Sequence, residues 1–186
     1  MNWLGQLVQE QVHSDDTVLD LGCGIMQATT DSMANPERKL LNKLQRKSVI
    51  KCKSLLGCEL IDKYINVAKT YFPVIKFDLT DNKSFELFQD NSFDVVMALD
   101  VIEHIDYQQT LRIIGHMERI ARKKIIIYTP SKFESNEKNV DDAWGLGENK
   151  FQKHLSYIPP SRFVDWGYKV SQPEPDHNTL AIKDLT

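Results

Sequence analysis

Thr17-Val18-Leu19-Asp20-Leu21-Gly22-Cys23-Gly24 is a short apolar run that ends in an acid and two closely spaced glycines. A strand of this kind brings the chain to the carboxyl edge of a sheet. Gly22 and Gly24 lack a Cβ, so the backbone can turn sharply there and a ligand can approach its amides. Asp20, at the strand end, can accept hydrogen bonds from a cationic or hydroxyl-bearing ligand. Together these residues describe a nucleotide-type cofactor pocket at the top of an α/β sheet. G-x-G also occurs in purely structural strand-to-helix turns, so the order of the flanking features carries the reading.

Upstream, Leu4, Leu7, Val8 and Val12 share one helical face, and Asp15-Asp16 break the pattern. Downstream, a polar interval from Met26 to about Lys53 contains a predicted helix started by Asn35 and Pro36. Ser54 to Glu59 is the second predicted strand. A helix marked by Ile61, Ile65 and Ala68 follows, closed by Pro73, and Val74 to Asp78 is the third strand. Phe93 to Leu99 is almost wholly apolar and reads as a central strand buried on both faces. Tyr107 to Ala121 is a helix and Ile125 to Thr129 a fifth strand stopped by Pro130. Beyond a long irregular stretch, Pro159-Pro160 open a short helix. Tyr168–Ser171 and Thr179–Lys183 then form an antiparallel hairpin at the sheet edge. Alternating strands and helices predict a mostly parallel sheet covered on both faces. The expectation is one α/β domain over residues 1–186, a three-layer Rossmann-like sandwich with a seven-stranded sheet, an inserted segment at about 26–53 and a cover loop at about 131–158.

Composition narrows the function. Apolar residues make up 41% and charged residues 26% of 186, with a formal charge of -3, which is ordinary for a water-soluble domain. That balance gives no general attraction to nucleic acid or to an anionic membrane. No run approaches the roughly 20 apolar residues that span a bilayer. The first residues lack a basic-then-apolar leader pattern, so a cytoplasmic protein is expected. Cys23, Cys52 and Cys58 show no zinc spacing and read as reduced thiols. Two basic clusters are present. Arg38, Lys39, Lys43, Arg46, Lys47, Lys51 and Lys53 read as a solvated face, and Arg119, Arg122, Lys123 and Lys124 as the charged end of a helix.

Three consecutive strands end in an acid at one edge, Asp20, Glu59 and Asp78, and the fourth runs into Asp100. Ligands of open α/β sheets bind outside those ends. Glu59 has two oxygens to receive both hydroxyls of a ribose, and Asp78 can accept from an exocyclic amino group. Leu60 and Leu79, each directly after an acid, can sandwich a flat base. Acids in such places also cap helices, and Asp81 is read that way.

In this order, VLDLGCG, LLGCEL, KFDLTD and SFDVVMALDVIEHI resemble the class I S-adenosylmethionine-dependent methyltransferases over nearly the whole chain. GCGIMQ and FQKHLSYIPPSRFVDWGYKV resemble a bacterial and archaeal branch with no assigned substrate. The resemblance implies S-adenosylmethionine as cofactor. Asp20, Gly22, Cys23 and Gly24 would hold its methionine end, Glu59 the ribose, and Asp78 and Leu79 the adenine. Leu99 or Asp100 would meet the methionine amino group. Two features depart from the family: Met26 stands where a third glycine is usual, and the interval to Glu59 exceeds the usual ~20 residues. Met26 and Gln27 therefore either shape the substrate side or pack.

Methyl transfer needs an aligned nucleophile and, for a hydroxyl, removal of its proton. His104, after the fourth strand, and His154, in the cover loop, are the candidates for base or acceptor contact. Trp144, Phe151, Tyr157 and Trp166 suggest an aromatic cover. The expected acceptor is a small molecule with an oxygen, nitrogen or carbon nucleophile, and no oligomeric state is implied. Asp100, Glu103, His104 and His154 carry donors suited to a metal, as an RNA 2′-O-methyltransferase-like enzyme with a divalent ion would need. With one obvious loop histidine the ligand pattern is incomplete, and no metal is assigned. A silent cofactor binder and a nicotinamide oxidoreductase are rival functions for the same architecture. The oxidoreductase would require G-x-G-x-x-G, and here Gln27 holds the last place.

Overall fold

The computed structural model describes residues 3–25, 50–133, 151–173 and 177–185. The expectations for Met26, Gln27, the Pro36 helix, Trp144 and most of the first basic cluster lie outside these residues. The elements are α1 (Trp3–Gln11), β1 (Thr17–Leu21), β2 (Ser54–Glu59), α2 (Asp62–Ala68), β3 (Val74–Lys76), β4 (Phe93–Leu99), α3 (Tyr107–Ile120), β5 (Ala121–Pro130), α4 (Pro160–Asp165), β6 (Lys169–Ser171) and β7 (Asn178–Asp184). Among the described residues, short 3₁₀ turns also lie at Asn82–Leu87 and Ile102–His104.

The seven strands form one sheet in the order β3-β2-β1-β4-β5-β7-β6. All pairings through β5 are parallel, and β7 runs antiparallel to both β5 and β6. The chain builds outward from β1 to β3, then crosses to β4 on the other side of β1. The carboxyl ends of β1 and β4 therefore flank a topological switch point, where the crevice of such sheets opens.

Strand alternation sorts the two faces. Leu19, Leu21, Val96, Ala98, Ile125 and Ile127 pack with Ile113, Met117 and Ile120 of α3 and Phe163 of α4. Val18, Leu55, Val95, Met97 and Ile126 pack with Leu4 and Val8 of α1 and Ala68 of α2. Asp20 pairs with Gly57 and with Met97, so period-2 alternation puts Asp20, Glu59 and Leu99 on that second face. β4 lies at the centre of the sheet and is buried from Asp94 to Leu99.

Three boundaries differ from expectation. α2 ends at Ala68, before Pro73, where the Tyr71 and Phe72 amides donate to the Ala68 carbonyl. β3 stops at Lys76; the Phe77 amide still bonds the Glu59 carbonyl, after which Asp78 turns the chain. β5 starts at Ala121, so Arg122, Lys123 and Lys124 lie on a strand and do not end a helix. Their charge is taken up at the amino edge of the sheet: Arg122 and Lys123 pair with Asp94, and Lys123 also with Asp16. Only Arg119 sits in the last turn of α3, donating to the Phe85 and Phe88 carbonyls and to Asp90. Asp81 caps its 3₁₀ turn by accepting from the Lys83 amide, the role its place in the sequence implies. The three cysteines are unpaired thiols, with Cys23 and Cys58 buried. No described helix is long and apolar enough to cross a membrane.

Candidate functional site

A cavity of about 750 Å³ opens at the carboxyl edge beside the switch point. That falls in the range of roughly 300–1,000 Å³ found for small-molecule sites. Asp20, Gly22, Cys23, Gly24, Glu59, Leu60, Asp78, Leu79, Leu99 and Asp100 all line it, with His104. His154 lies beside His104, ring centroids 5.0 Å apart, but does not line this cavity; with Glu103 and Thr129 it borders a small gap too narrow for a water molecule.

The glycine turn is tight for a physical reason. The Gly22 and Cys23 amides both donate to the Cys58 carbonyl at the end of β2, at 2.8 and 3.0 Å. Gly22 has φ +70, and a Cβ there would stand 2.6 Å from a Val101 methyl. Only glycine fits both constraints. Asp100, with φ 52, is a non-glycine residue in the left-handed region directly after β4. Asp and Asn tolerate this region better than other non-glycine residues, and Asn91, which does not line the cavity, adopts it too.

The carboxylates differ in how they are satisfied. Asp20 is buried, and no described group donates a hydrogen bond to its carboxylate. Burial first, and the nearby Glu59 charge second, push its pKa up to about 8. Burial also raises the Glu59 carboxyl, opposed by three backbone amides. Gly24 donates to Oε2 at 2.8 Å, while Leu60 and Ile61 donate to Oε1 at 2.8 and 2.9 Å. With about four acceptor positions on a carboxylate, Glu59 both closes the glycine turn and keeps one position on Oε2 for a hydroxyl. Asp78 Oδ1 accepts from the Thr80 amide and hydroxyl, which leaves Oδ2 for another donor. Burial and neighbouring acids raise the Cys23 and Cys58 thiols, keeping them protonated and unreactive.

On the far wall, burial and the adjacent His154 hold the His104 pKa down to about 4, against the opposing pull of the Lys153 and Gln152 backbone. The ring is therefore neutral at pH 7, which makes it a weak proton acceptor compared with a base tuned near the working pH. Burial, then the Asp100 charge, push Glu103 up to about 8. Tyr128, Gln109, Asn178 and Gln152 also line the large cavity and are not among the residues the sequence singles out. Tyr128 has a usable signal: β5 runs parallel to β4 and places it beside Leu99. Gln109 and Asn178 have none. Phe151 of the expected aromatic cover lines the large cavity and Tyr157 the small one, while Trp166 packs against Phe163.

Residues 19–128 match the family model described as a methyltransferase domain, more than half of the chain. The chain belongs to this family, the class I S-adenosylmethionine-dependent methyltransferases. No curated protein matches it. Among solved structures it is similar to an S-adenosylmethionine-dependent methyltransferase from Archaeoglobus fulgidus, at 15% identity and TM-score 0.59, covering 97% of this chain and 94% of that one. It is also similar to magnesium protoporphyrin IX methyltransferase from Synechocystis with bound S-adenosylhomocysteine, at 14% identity, TM-score 0.58 and coverage of 99% and 80%. An O-methyltransferase family protein from Burkholderia thailandensis aligns at 19% identity and TM-score 0.58, over 97% of this chain and 55% of that one. At these identities the likeness is one of fold.

Proposed function

We propose that this chain transfers the methyl group of S-adenosylmethionine to a small-molecule acceptor. The observation that carries the reading is the buried Asp20 carboxylate, which faces the cavity without a hydrogen-bond donor among the described residues. A buried acid of this kind is costly unless a ligand supplies positive charge or donors, and the cofactor brings both an ammonium and a sulfonium. In this reading Asp20, Gly22, Cys23 and Gly24 surround the methionine end, with Leu99 and Asp100 beside its amino group. Glu59 takes a ribose hydroxyl, Asp78 the adenine amino group, and Leu60 and Leu79 the faces of the base.

The transfer itself asks little of the protein. The acceptor's lone pair attacks the methyl carbon in line, the C–S bond breaks toward sulfur, and the neutral thioether leaves without an acid. What the chain contributes is alignment, with the nucleophile held about 3 Å from the methyl, and a site for the acceptor beside His104, whose ring packs by that of His154. That neighbours of this fold include an O-methyltransferase family protein and a porphyrin methyltransferase supports a small acceptor.

Calorimetry with S-adenosylhomocysteine and with NAD tests the reading. Stoichiometric binding of the former and none of the latter is expected. Glu59→Ala should weaken binding by about 1.5–3 kcal/mol, the worth of hydrogen bonds to a charged group. Binding of NAD alone would remove the proposal. Cofactor binding without turnover across a panel of hydroxyl, amine and carbon acceptors would favour a silent binder.

A further inference from the structure

The order of the strands lays the cavity out as two compartments. Asp78 follows β3, Glu59 ends β2, the glycine turn follows β1, and Leu99 and Asp100 stand at the end of β4. In the methyl-transfer reading, on which this inference rests, the cofactor fills that half, with its adenine over β3 and its methionine end beside β1 and β4. The cavity continues beyond it. Tyr128 lines it from β5, where it pairs with Leu99, and Asn178 lines it from the start of β7, where it pairs with Pro130. Neighbouring strands lie about 4.8 Å apart, so these two residues carry the cavity roughly 5–10 Å past β4. The segment with Phe151, Gln152 and Leu155 closes on the loop after β4, where the Leu155 amide donates to the Glu103 carbonyl at 2.7 Å.

The charge of the lining is one-sided. Asp20, Glu59, Asp78, Asp100 and Asp106 place carboxyl groups around the cavity, and among the described residues no lysine or arginine lines it. His104 is neutral at pH 7 and adds no cation. The cofactor's ammonium and sulfonium, less its own carboxylate, supply one net positive charge, which is fewer than the acids. The polar side chains beyond β4, Tyr128, Asn178, Gln109 and Gln152, are uncharged. An anionic acceptor would bring one more negative charge to a compartment without a partner for it, and a desolvated charge left unpaired is costly. The mouth, by contrast, is apolar. Phe151 and Leu155 line the cavity while 39% and 55% exposed. With Phe133, which borders the small gap beside Ser156, they are three of the five exposed large apolar side chains among the described residues. Uncovered apolar surface therefore gathers at this opening, where an apolar ligand would cover it.

We propose that the acceptor is an uncharged or cationic molecule with an apolar ring or chain. It is held past the end of β4, between Tyr128 and Asn178 on the sheet and Phe151 and Leu155 at the mouth. Acceptors that carry a carboxylate or a phosphate are excluded.

The test uses full-length protein saturated with S-adenosylhomocysteine and four probes that share a phenyl ring: 2-phenylethanol, 2-phenylethylamine, 3-phenylpropionate and phenyl phosphate. Saturation-transfer NMR titrations at pH 7 give their affinities. The alcohol and the amine are expected to bind at least about tenfold more tightly than the two anions. Leu155→Ala, at an exposed position, should weaken binding of the alcohol severalfold. Gln109→Lys places a cation beside the compartment and should narrow the gap between alcohol and carboxylate to below about tenfold. Circular dichroism verifies that both variants are folded. Anions that bind the native protein within about tenfold of the alcohol overturn the proposal. So does the failure of all four probes to bind, or two folded variants that change nothing. If S-adenosylhomocysteine binds and the charge preference is absent, the acceptor class alone falls. If it does not bind, the methyl-transfer reading falls. The probes are then titrated against the unliganded protein, where the same preference upholds the compartment and its absence overturns it.

Discussion

The two ends of this sheet use the same side chains in opposite ways. At the amino edge, Asp16 and Asp94 are buried, yet each is crowded with donors. Asp16 accepts from the His13 amide and Lys123, and Asp94 from the Thr17 amide and hydroxyl and from Arg122, with Lys123 alongside. Burial alone would raise both carboxyls, but these partners outweigh it and hold them below the usual carboxylate range. At the carboxyl edge, Asp20, Glu59 and Glu103 are also buried, and each is pushed upward. A buried acid that the chain itself satisfies is part of the scaffold. One left short of positive charge is a candidate for ligand contact, the role proposed above for Asp20 and Glu59.

The sharpest way to break this contrast is at the glycine turn that shapes the carboxyl edge. Gly22→Ala adds a methyl in the left-handed region and against Val101. Backbone strain and overpacking together should cost roughly 2–6 kcal/mol and abolish binding of S-adenosylhomocysteine. Urea melts and calorimetry read both effects. A folded variant with native affinity would mean that the turn is not the platform described.

Matched substitutions at the two edges should then move in opposite directions. Asp94 is depressed when folded, so its contribution is present above the unfolded value near 3.9 and fades as pH falls through its folded value. Asp94→Asn should cost about 1–3 kcal/mol at pH 7, with the deficit shrinking in acid and cofactor affinity unchanged. Asp20 is the reverse: with a folded pKa of about 8, its carboxylate costs stability increasingly as pH rises from about 4 to 8. Asp20→Asn should therefore stabilise the unliganded protein at pH 8, by roughly 1–3 kcal/mol, and weaken cofactor binding. Melts from pH 4 to 9 separate the two. Stability changes of the same sign at pH 8 would dissolve the distinction between the edges.

Most of the fold is legible in the sequence because its signals are local. Apolar runs ending in Asp20 and Glu59 mark their strands, and strand periodicity puts those acids on one face. The basic run at Arg122–Lys124 misleads because charge at a helix end and charge on a strand start look alike in sequence; only the pairing with Asp94 and Asp16, far along the chain, decides. The sequence groups Glu103, His104 and His154 by donor type, but the same distance hides how their contact is made. It depends on backbone bonds from Leu155 and Ser156 to the 3₁₀ turn, and amides carry no sequence signature. Asn178 reaches the cavity through the β5–β7 pairing, again a long-range event.

The smallest expected effect lies within one loop. Asp78 and Asp81 are three residues apart, and both accept from an amide two residues ahead, that of Thr80 and that of Lys83. Only Asp78 lines the cavity. Asp81→Ala removes an exposed cap and should cost about 0.5–1 kcal/mol of stability, with no change in affinity for S-adenosylhomocysteine. Asp78→Ala loses a similar turn bond, so its melt should shift by a comparable amount, but calorimetry should show weaker binding as well. The stability terms nearly cancel between the two variants, and the remaining difference isolates what the Asp78 carboxylate gives the ligand. Equal affinities would assign Asp78 to capping alone and move adenine recognition elsewhere in the cavity.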